Sequence, residues 1–193
     1  MTVTITHVYE DYSTAEDVVD ELEEAGFTQD QISLVGRKAG ESHEDAGDGA
    51  ATGATLGGVA GAGAGLLASL GLIAIPGIGP LVAAGVLATT LAGAATGAIA
   101  GGLLGALVEY GVSEEEAPVY AESIRRGGTL VSVRADESKA DQAEAIMRKY
   151  NPIDIKERGQ SYHEQGWTGY DPNAPVYTES QRAEERDRYR NIG

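Results

Sequence analysis

Three histidines, His7, His43 and His163, are the residues of this sequence best suited to acid–base catalysis or metal binding. None of them has a second histidine four residues further on, which is the spacing that places two zinc ligands on one helix face. The chain has no cysteine, which excludes disulfides, thiolate metal sites and thiol catalysis. We therefore interpret the histidines as surface or structural residues and expect no catalytic residue, no metal and no cofactor.

The 27 glycines suggest a phosphate-binding loop, but neither of the two known spacings is complete. The pattern GxxxxGK[ST] is absent, and no stretch completes GxGxxG. The stretch from Asp45 to Gly49 lacks the alternating ligands and the terminal glutamate of a calcium loop. No small-molecule substrate is evident, and the sequence indicates a protein that is not an enzyme.

The charge of the chain excludes a further class of partner. Thirty acidic and 14 basic side chains give a net charge of −16 at pH 7. A nucleic-acid-binding protein needs lysines and arginines to neutralise phosphates, so we expect no nucleic acid partner. The first twelve residues have neither the basic nor the apolar region of a signal peptide, which favours a cytoplasmic location.

The charged residues all lie outside one long segment. Residues 49–108 are sixty consecutive positions without Asp, Glu, Lys, Arg or His, and the segments on both sides are polar. The sequence therefore predicts four parts: 1–48, the first half of an α+β domain; 49–110, an apolar insertion; 111–158, a linking helix and the second half of the domain; and 159–193, a polar tail.

The two polar halves repeat the same order of elements. In the first, Thr2-Val-Thr-Ile-Thr-His-Val8 predicts a strand, Ser13-Thr-Ala-Glu16 caps a helix that ends at Gly26, and 31–35 is a second strand. In the second, 129–133 is a strand, Ser138 opens a helix, and 152–156 is the closing strand. Two such units predict a ferredoxin-like split βαβ domain, with four antiparallel strands and two helices on one face. A linking helix over 113–126 is expected either to have a slight kink or to start later, because Pro118 falls just beyond its first turn.

The insertion is divided near its centre by a turn at Pro76, Gly77, Gly79 and Pro80. Its arms, 51–75 and 81–108, would be about 37 and 42 Å long as helices. Either is long enough to cross a hydrocarbon core of about 30 Å. The sequence therefore predicts an α-helical hairpin.

The glycines of both arms recur every fourth residue, which places them on one face of each helix. Such faces let two backbones approach closely, as in a glycine zipper. A flexible linker is disfavoured because the segment is rich in Val, Leu and Ile. The glycines predicted to pack helices and hold copies together are Gly53, Gly57, Gly61 and Gly65 on the first arm, and Gly93, Gly97, Gly101 and Gly105 on the second.

The environment of this hairpin has two solutions that the sequence leaves open. Two uncharged arms of spanning length favour a lipid bilayer, and the protein would then be associated with the inner membrane with its polar domain in the cytoplasm. The flanks are acidic and supply no positive-inside signal, which favours a homo-oligomer that buries the hairpins in a shared core. The expected partners are therefore other copies of the chain and, in the first case, lipid.

The tail contains aromatic residues in an extended, proline-containing stretch, with Trp167, Tyr170 and Tyr177 as candidates for docking. Thr178-Glu-Ser-Gln181 then predicts the cap of a short polar helix. The tail is either disordered or an arm that packs on its own domain or on a neighbouring copy.

The chain resembles the bacterial general stress protein 17M-like domain family, which includes heat- and low-temperature-induced proteins. The resemblance covers residues 1–158 and rests on the order of six blocks: 12–17, 22–27, 32–35, Ile75-Pro-Gly-Ile-Gly-Pro80, Ser113-Glu-Glu-Glu-Ala117 and Arg126-Gly-Gly-Thr-Leu-Val131. It implies a stress-response protein and no catalytic residues. The resulting hypothesis is a non-enzymatic protein that self-associates through glycine-zipper hairpins. The alternatives are a pore-forming or permeabilising protein and a ligand-sensing ferredoxin-like domain.

Overall fold

The computed structural model describes residues 1–37, 71–75, 78–95 and 102–190, and it shows an α+β protein. The strands are β1 (Thr2–Tyr9), β2 (Ile32–Gly36), β3 (Gly71–Ile75), β4 (Gly79–Ala84) and β5 (Thr129–Asp136). The helices are α1 (Tyr12–Glu24), α2 (Val86–Ala95), α3 (Gly102–Glu109), α4 (Ala117–Arg125), α5 (Ala140–Lys149), α6 (Ile155–Glu164) and α7 (Glu179–Arg190). The five strands form one antiparallel sheet in the order β1-β5-β2-β4-β3.

The sheet separates two apolar clusters. On one face, α1 and α5 pack on residues such as Leu34, Val131 and Val133. On the other face, the core contains residues of α2, α3, α4 and α6 together with Val35 and Leu130. The consecutive pairs Leu34–Val35 and Leu130–Val131 belong to opposite clusters because side chains alternate across a strand. The central strands are therefore buried on both faces.

The N-cap of helix α1 lies two residues before the one that the capping motif predicts. The Asp11 carboxylate accepts a hydrogen bond from the Thr14 N–H at 2.8 Å and another from the Ser13 hydroxyl at 2.7 Å, so Asp11 and not Ser13 is the N-cap. Burial disfavours the charge on Asp11, but these hydrogen bonds outweigh it and lower the pKa of this carboxyl below 3.8. At the other end, Gly26 has φ +85°, the left-handed conformation of a helix C′ residue, as its position predicts.

Residues 71–75 and 79–84 are the two strands of a β-hairpin, so the prediction of helical arms through these positions is wrong. Ile78 donates a backbone hydrogen bond to the Ile75 carbonyl at 3.1 Å, which closes the turn. Gly79 and Pro80 belong to β4 and not to the turn, while Pro76 and Gly77 lie outside the described residues. The strand form is favoured because β4 completes hydrogen bonds with β2.

The described residues of the second arm beyond β4 form the helices α2 and α3. Gly85, at φ +81°, separates β4 from α2, and the Ser33 hydroxyl accepts the Leu87 N–H at 3.1 Å, which satisfies a free donor in the first turn of α2. Leu87 and Leu107 are fully buried in the core. In the described part of the chain, no helix has the length and apolar character needed to cross a membrane.

The predicted closing strand over 152–156 is also wrong. Asn151 is left-handed (φ 49°), and α6 begins at Ile155. The Asp154 carboxylate accepts the N–H groups of Lys156 and Glu157, so these residues start a helix, and Pro152 has no N–H for a ladder. Helix α4 starts late, at Ala117, which is one of the two outcomes that Pro118 predicts. Helix α5 starts at Ala140 without a side-chain cap from Ser138.

Candidate functional site

A buried ion-pair network lies at the carboxyl end of α4. Glu122 is 1% exposed, and its two oxygens accept hydrogen bonds from Nε and Nη2 of Arg125 and from Nε of Arg126, each at 2.7 Å. The spacing i to i+3 and i+4 places these side chains on one helix face. Two cations at the last turn also complement the helix dipole. One carboxylate thus faces two guanidinium groups, so Glu122, Arg125 and Arg126 together carry one net positive charge.

Helix α6 supplies the second wall of the network. The Arg126 guanidinium lies over the Tyr162 ring at 3.9 Å from its centroid, and Arg126 Nη1 donates to Gln165 Oε1 at 2.8 Å. The Tyr162 hydroxyl donates to Ser123 Oγ at 3.3 Å, which joins α6 to α4. We call the four residues Arg126, Glu122, Tyr162 and Gln165 the Arg126 site.

Helix α7 fills this site with a carboxylate. Arg126 Nη1 donates to Glu185 Oε1 at 2.7 Å, and both side chains are less than a tenth exposed. The stretch before α7 binds Arg125, which donates to the Pro175 carbonyl at 3.0 Å and lies 4.5 Å from the Tyr177 ring centroid. The C-terminal arm, residues 166–190, is therefore held by arginines of α4.

A third arginine, Arg158, binds the same arm nearby. Arg158 of α6 donates to the Glu10 carboxylate, and its guanidinium lies 3.5 Å from the Tyr189 ring centroid. The Tyr189 hydroxyl is 2.8 Å from Ser161 Oγ and accepts a hydrogen bond from Gln165 Nε2 at 3.0 Å. The carboxyl end of α7 is thus tied to α6.

The electrostatics of the network stabilise the charged forms of its arginines. Burial disfavours the charge on Arg126, but the hydrogen bonds to Glu122 and Glu185 outweigh it and raise the pKa of the guanidinium. Burial raises the pKa of Tyr162 to about 12. Arg126 therefore stays charged and Tyr162 stays protonated near neutral pH, so the arrangement is suited to binding a carboxylate.

The aromatic residues singled out in the tail lie in different places. Tyr177 contacts Arg125, as described above. Trp167 packs edge-on against Tyr162, with ring centroids 5.9 Å apart, and Tyr170 packs on the core at the edge of α4. The tail residues up to 190 are thus an arm packed on its own domain.

The glycines proposed for the zipper fall mostly where the structure gives no description. Gly53, Gly57, Gly61, Gly65, Gly97 and Gly101 lie outside the described residues. Gly93 lies in α2 and Gly105 in α3, and these two helices pack against each other. The zipper itself stays a prediction.

The histidines do not come together. His7 Nε2 is 3.0 Å from the Glu144 carboxylate, and His163 Nδ1 is 2.8 Å from the Trp167 carbonyl. His43 lies outside the described residues. In the part of the chain that the structure describes, no group of three or more His, Asp or Glu is placed to hold a metal ion.

Sequence reasoning missed the Arg126 site. The i, i+4 pair of Glu122 and Arg126 is a visible signal of an ion pair on one helix, although not of its burial. Glu185 carries no such signal, because its partner lies 59 residues away. Its neighbours in the sequence are equally charged, and only the fold selects which glutamate is buried.

Comparisons of the chain with protein-family models, with curated proteins and with solved structures gave no match.

Proposed function

We propose that this chain is a non-enzymatic, self-associating protein of the general stress response, and that the contact between copies is made by the uncharged insertion. The observation that carries the proposal is the open outer edge of β3. In the part of the chain that the structure describes, this strand, Gly71-Leu-Ile-Ala-Ile75, lies at the end of the sheet and pairs with β4 alone. It holds no charged residue and no proline, the features by which proteins prevent pairing at an edge.

The backbone register of the hairpin supports the proposal. Ala74 lies opposite Pro80, which has no N–H to donate across the pair. Ala74 and Pro80 are therefore a non-hydrogen-bonded pair, and the N–H and C=O groups of Ala74 point to the outer side of β3. Within the described residues, nothing outside the hairpin and its turn forms a hydrogen bond with these strand groups. A β3 strand from a second copy would satisfy them.

The opposite edge of the sheet, β1, is covered by residues of the same chain. The Thr6 carbonyl accepts the Tyr120 hydroxyl at 3.1 Å, and the Val8 carbonyl accepts the Ile153 N–H at 2.8 Å. The backbone of Gly111 lies against Thr4. Pairing between copies is thus favoured at β3 and disfavoured along much of β1.

We also propose a fold for the polar domain and a role for the glycine-rich part of the insertion. We propose that β1, β5 and β2, with α1 and α5 on one face, are a ferredoxin-like split βαβ unit that the β3–β4 hairpin extends. The glycines recurring every fourth residue over 53–65 would pack copies further, in a closed assembly that shields them from water. The burial of Leu87 and Leu107 within the chain favours this assembly over a bilayer, since these side chains are already covered.

The experiment that tests the proposal places a charge at the open edge. A side chain at position 71 fits, because a Cβ added to Gly71 meets only the Ala83 carbonyl, at 3.9 Å. We expect the wild-type chain to scatter light as several copies, and Gly71→Lys to raise the dissociation constant at least about tenfold. Gln142→Lys, on the exposed side of α5, is the control for added charge and keeps the wild-type mass.

A second variant removes a donor without adding charge. Ala74→Pro deletes only an N–H that points away from β4, so the hairpin is retained and pairing with a second copy is weakened. Wild-type mass for both edge variants would contradict the proposal. Dye release from liposomes by the wild-type chain would favour the pore-forming alternative instead.

A further inference from the structure

The Arg126 site is assembled without the helix that fills it. Glu122 and Gln165 accept hydrogen bonds from Arg126 at 2.7 and 2.8 Å, and the Tyr162 ring supports the guanidinium from below. These partners belong to α4, to α6 and to the residue after α6. The site is therefore a preformed receptor for a carboxylate, and Glu185 is its occupant in this structure.

Helix α7 adds almost nothing to the apolar core. None of its described residues belongs to either apolar cluster, and Glu185 is its one buried side chain among those described. Its other contacts include the Tyr189 ring on Arg158, the Tyr189 hydroxyl with Ser161 and Gln165, and the Arg182 side chain beside Gly127. Ion pairs and guanidinium–aromatic contacts hold α7, so the release of this helix exposes little apolar surface.

The segment that joins α6 to α7 has the properties of a hinge. Gly166 and Gly169 have φ values of +88° and +144°, and a Cβ added to either would meet nothing within 4 Å. The twelve residues 167–178 span up to about 40 Å when extended. The arm of one copy therefore reaches the Arg126 site of a neighbour that lies beside it.

We propose that copies of this chain exchange their C-terminal arms, so that Glu185 of one copy occupies the Arg126 site of the next. The inference rests on the proposed self-association. Every contact of α7 is the same whichever copy supplies the helix, so the chain's own arm is favoured by the closure of the linker and by the packing of Trp167 and Tyr170 within it. In an assembly the arms of neighbours are held at a high effective concentration, which offsets that preference.

The absence of native cysteines allows a direct test with a disulfide. A Cβ added to Gly127 lies 3.4 Å from Arg182 Cβ, close to the separation in a disulfide. The full-length double variant Gly127→Cys/Arg182→Cys is oxidised and run on a denaturing gel without reductant. We expect most chains to migrate as covalent dimers or larger species, whereas the two single-cysteine variants do so far less.

A second pair of cysteines avoids position 127, where φ is +113° and a cysteine would be strained. Ser161 and Tyr189 touch across the same contact, and Ser161→Cys/Tyr189→Cys is joined with a short bismaleimide in place of a disulfide. Covalent dimers from either pair support arm exchange. One-chain bands from both pairs overturn it.

Sizing the same oxidised samples without detergent separates the two proposals. An oligomeric particle that dissociates on the gel into internally linked single chains refutes arm exchange and leaves self-association intact. A particle with the mass of one chain refutes both.

Discussion

Glu122 is the residue whose replacement tests the energetics of the Arg126 site most directly. In Glu122→Gln the two guanidinium groups of Arg125 and Arg126 keep their burial and lose the negative charge between them. Hydrogen bonds to charged groups contribute about 1.5–3 kcal/mol each, and removing one partner of a buried ion pair costs about 3–5 kcal/mol. Three contacts at 2.7 Å to a side chain that is 1% exposed favour the upper part of that range.

The assay is urea unfolding followed by circular dichroism at pH 7. A loss of about 3–5 kcal/mol corresponds to a fall in Tm of about 6–20 °C for a chain of this size. The matched control is Glu21→Gln, which breaks an ion pair with Lys149 at the same 2.7 Å separation but on an exposed surface. That control is expected to change the unfolding midpoint far less, because water screens the pair.

The buried and exposed variants also differ in their response to salt. Raising the salt concentration leaves the loss in Glu122→Gln nearly unchanged, whereas any effect of Glu21→Gln disappears. A loss below about 1 kcal/mol in Glu122→Gln would refute the reasoning, since the network would then contribute no more than a surface pair.

Three further predictions follow from single positions. Asp11→Ala costs about 1 kcal/mol at neutral pH, and the difference from wild type in urea unfolding vanishes as the pH falls below 3.8, because protonation of Asp11 removes the same hydrogen bonds. The free energy of unfolding of the wild-type chain falls between pH 10 and about 12, because Tyr162 loses its proton at a lower pH in the unfolded chain than in the folded one. The variant Tyr162→Phe removes up to about 3 kcal/mol of that loss. Gly85→Ala lowers Tm clearly more than Gly166→Ala, because both glycines have positive φ but only at Gly85 would the new Cβ meet a backbone carbonyl, at 2.1 Å.

The elements that the sequence predicted correctly are those determined by residues close together in the chain. Thr178 and Gln181 exchange the hydrogen bonds of a capping box at the start of α7, as their spacing indicates. The strands β1, β2 and β5 are rich in β-branched residues and lie within one to three residues of the predicted bounds. Such signals act over four or five residues and are visible without the fold.

The hairpin β3–β4 was not predicted because its sequence does not alternate between apolar and polar residues. An uncharged run has neither the alternation of a half-buried strand nor the 3.6-residue period of an amphipathic helix, so the pattern cannot separate the two. The glycine spacing then favoured the helix. The deciding partner is β2, more than forty residues earlier, whose Val35 lies opposite Ala83.

Salt concentration separates the two kinds of contact that we propose between copies. The first 48 residues carry 13 acidic and 2 basic side chains, and the whole chain carries −16, so approaching copies repel each other. The Debye length falls from about 8 Å at 0.15 M salt to about 3 Å at 1 M, which weakens that repulsion. Pairing at the uncharged β3 edge should therefore strengthen as salt is added.

The arm responds in the opposite direction. The pair of the half-exposed Arg188 with Glu185, at 3.2 Å, is screened by salt, while the buried pair of Glu185 with Arg126 is screened less. Sedimentation over this salt range should show assemblies that grow, while disulfide trapping of the arm falls or stays level. If assembly size and disulfide trapping both decreased as salt was added, the arms and not the β3 edge would hold the copies together. The proposed role of the uncharged insertion would then be refuted.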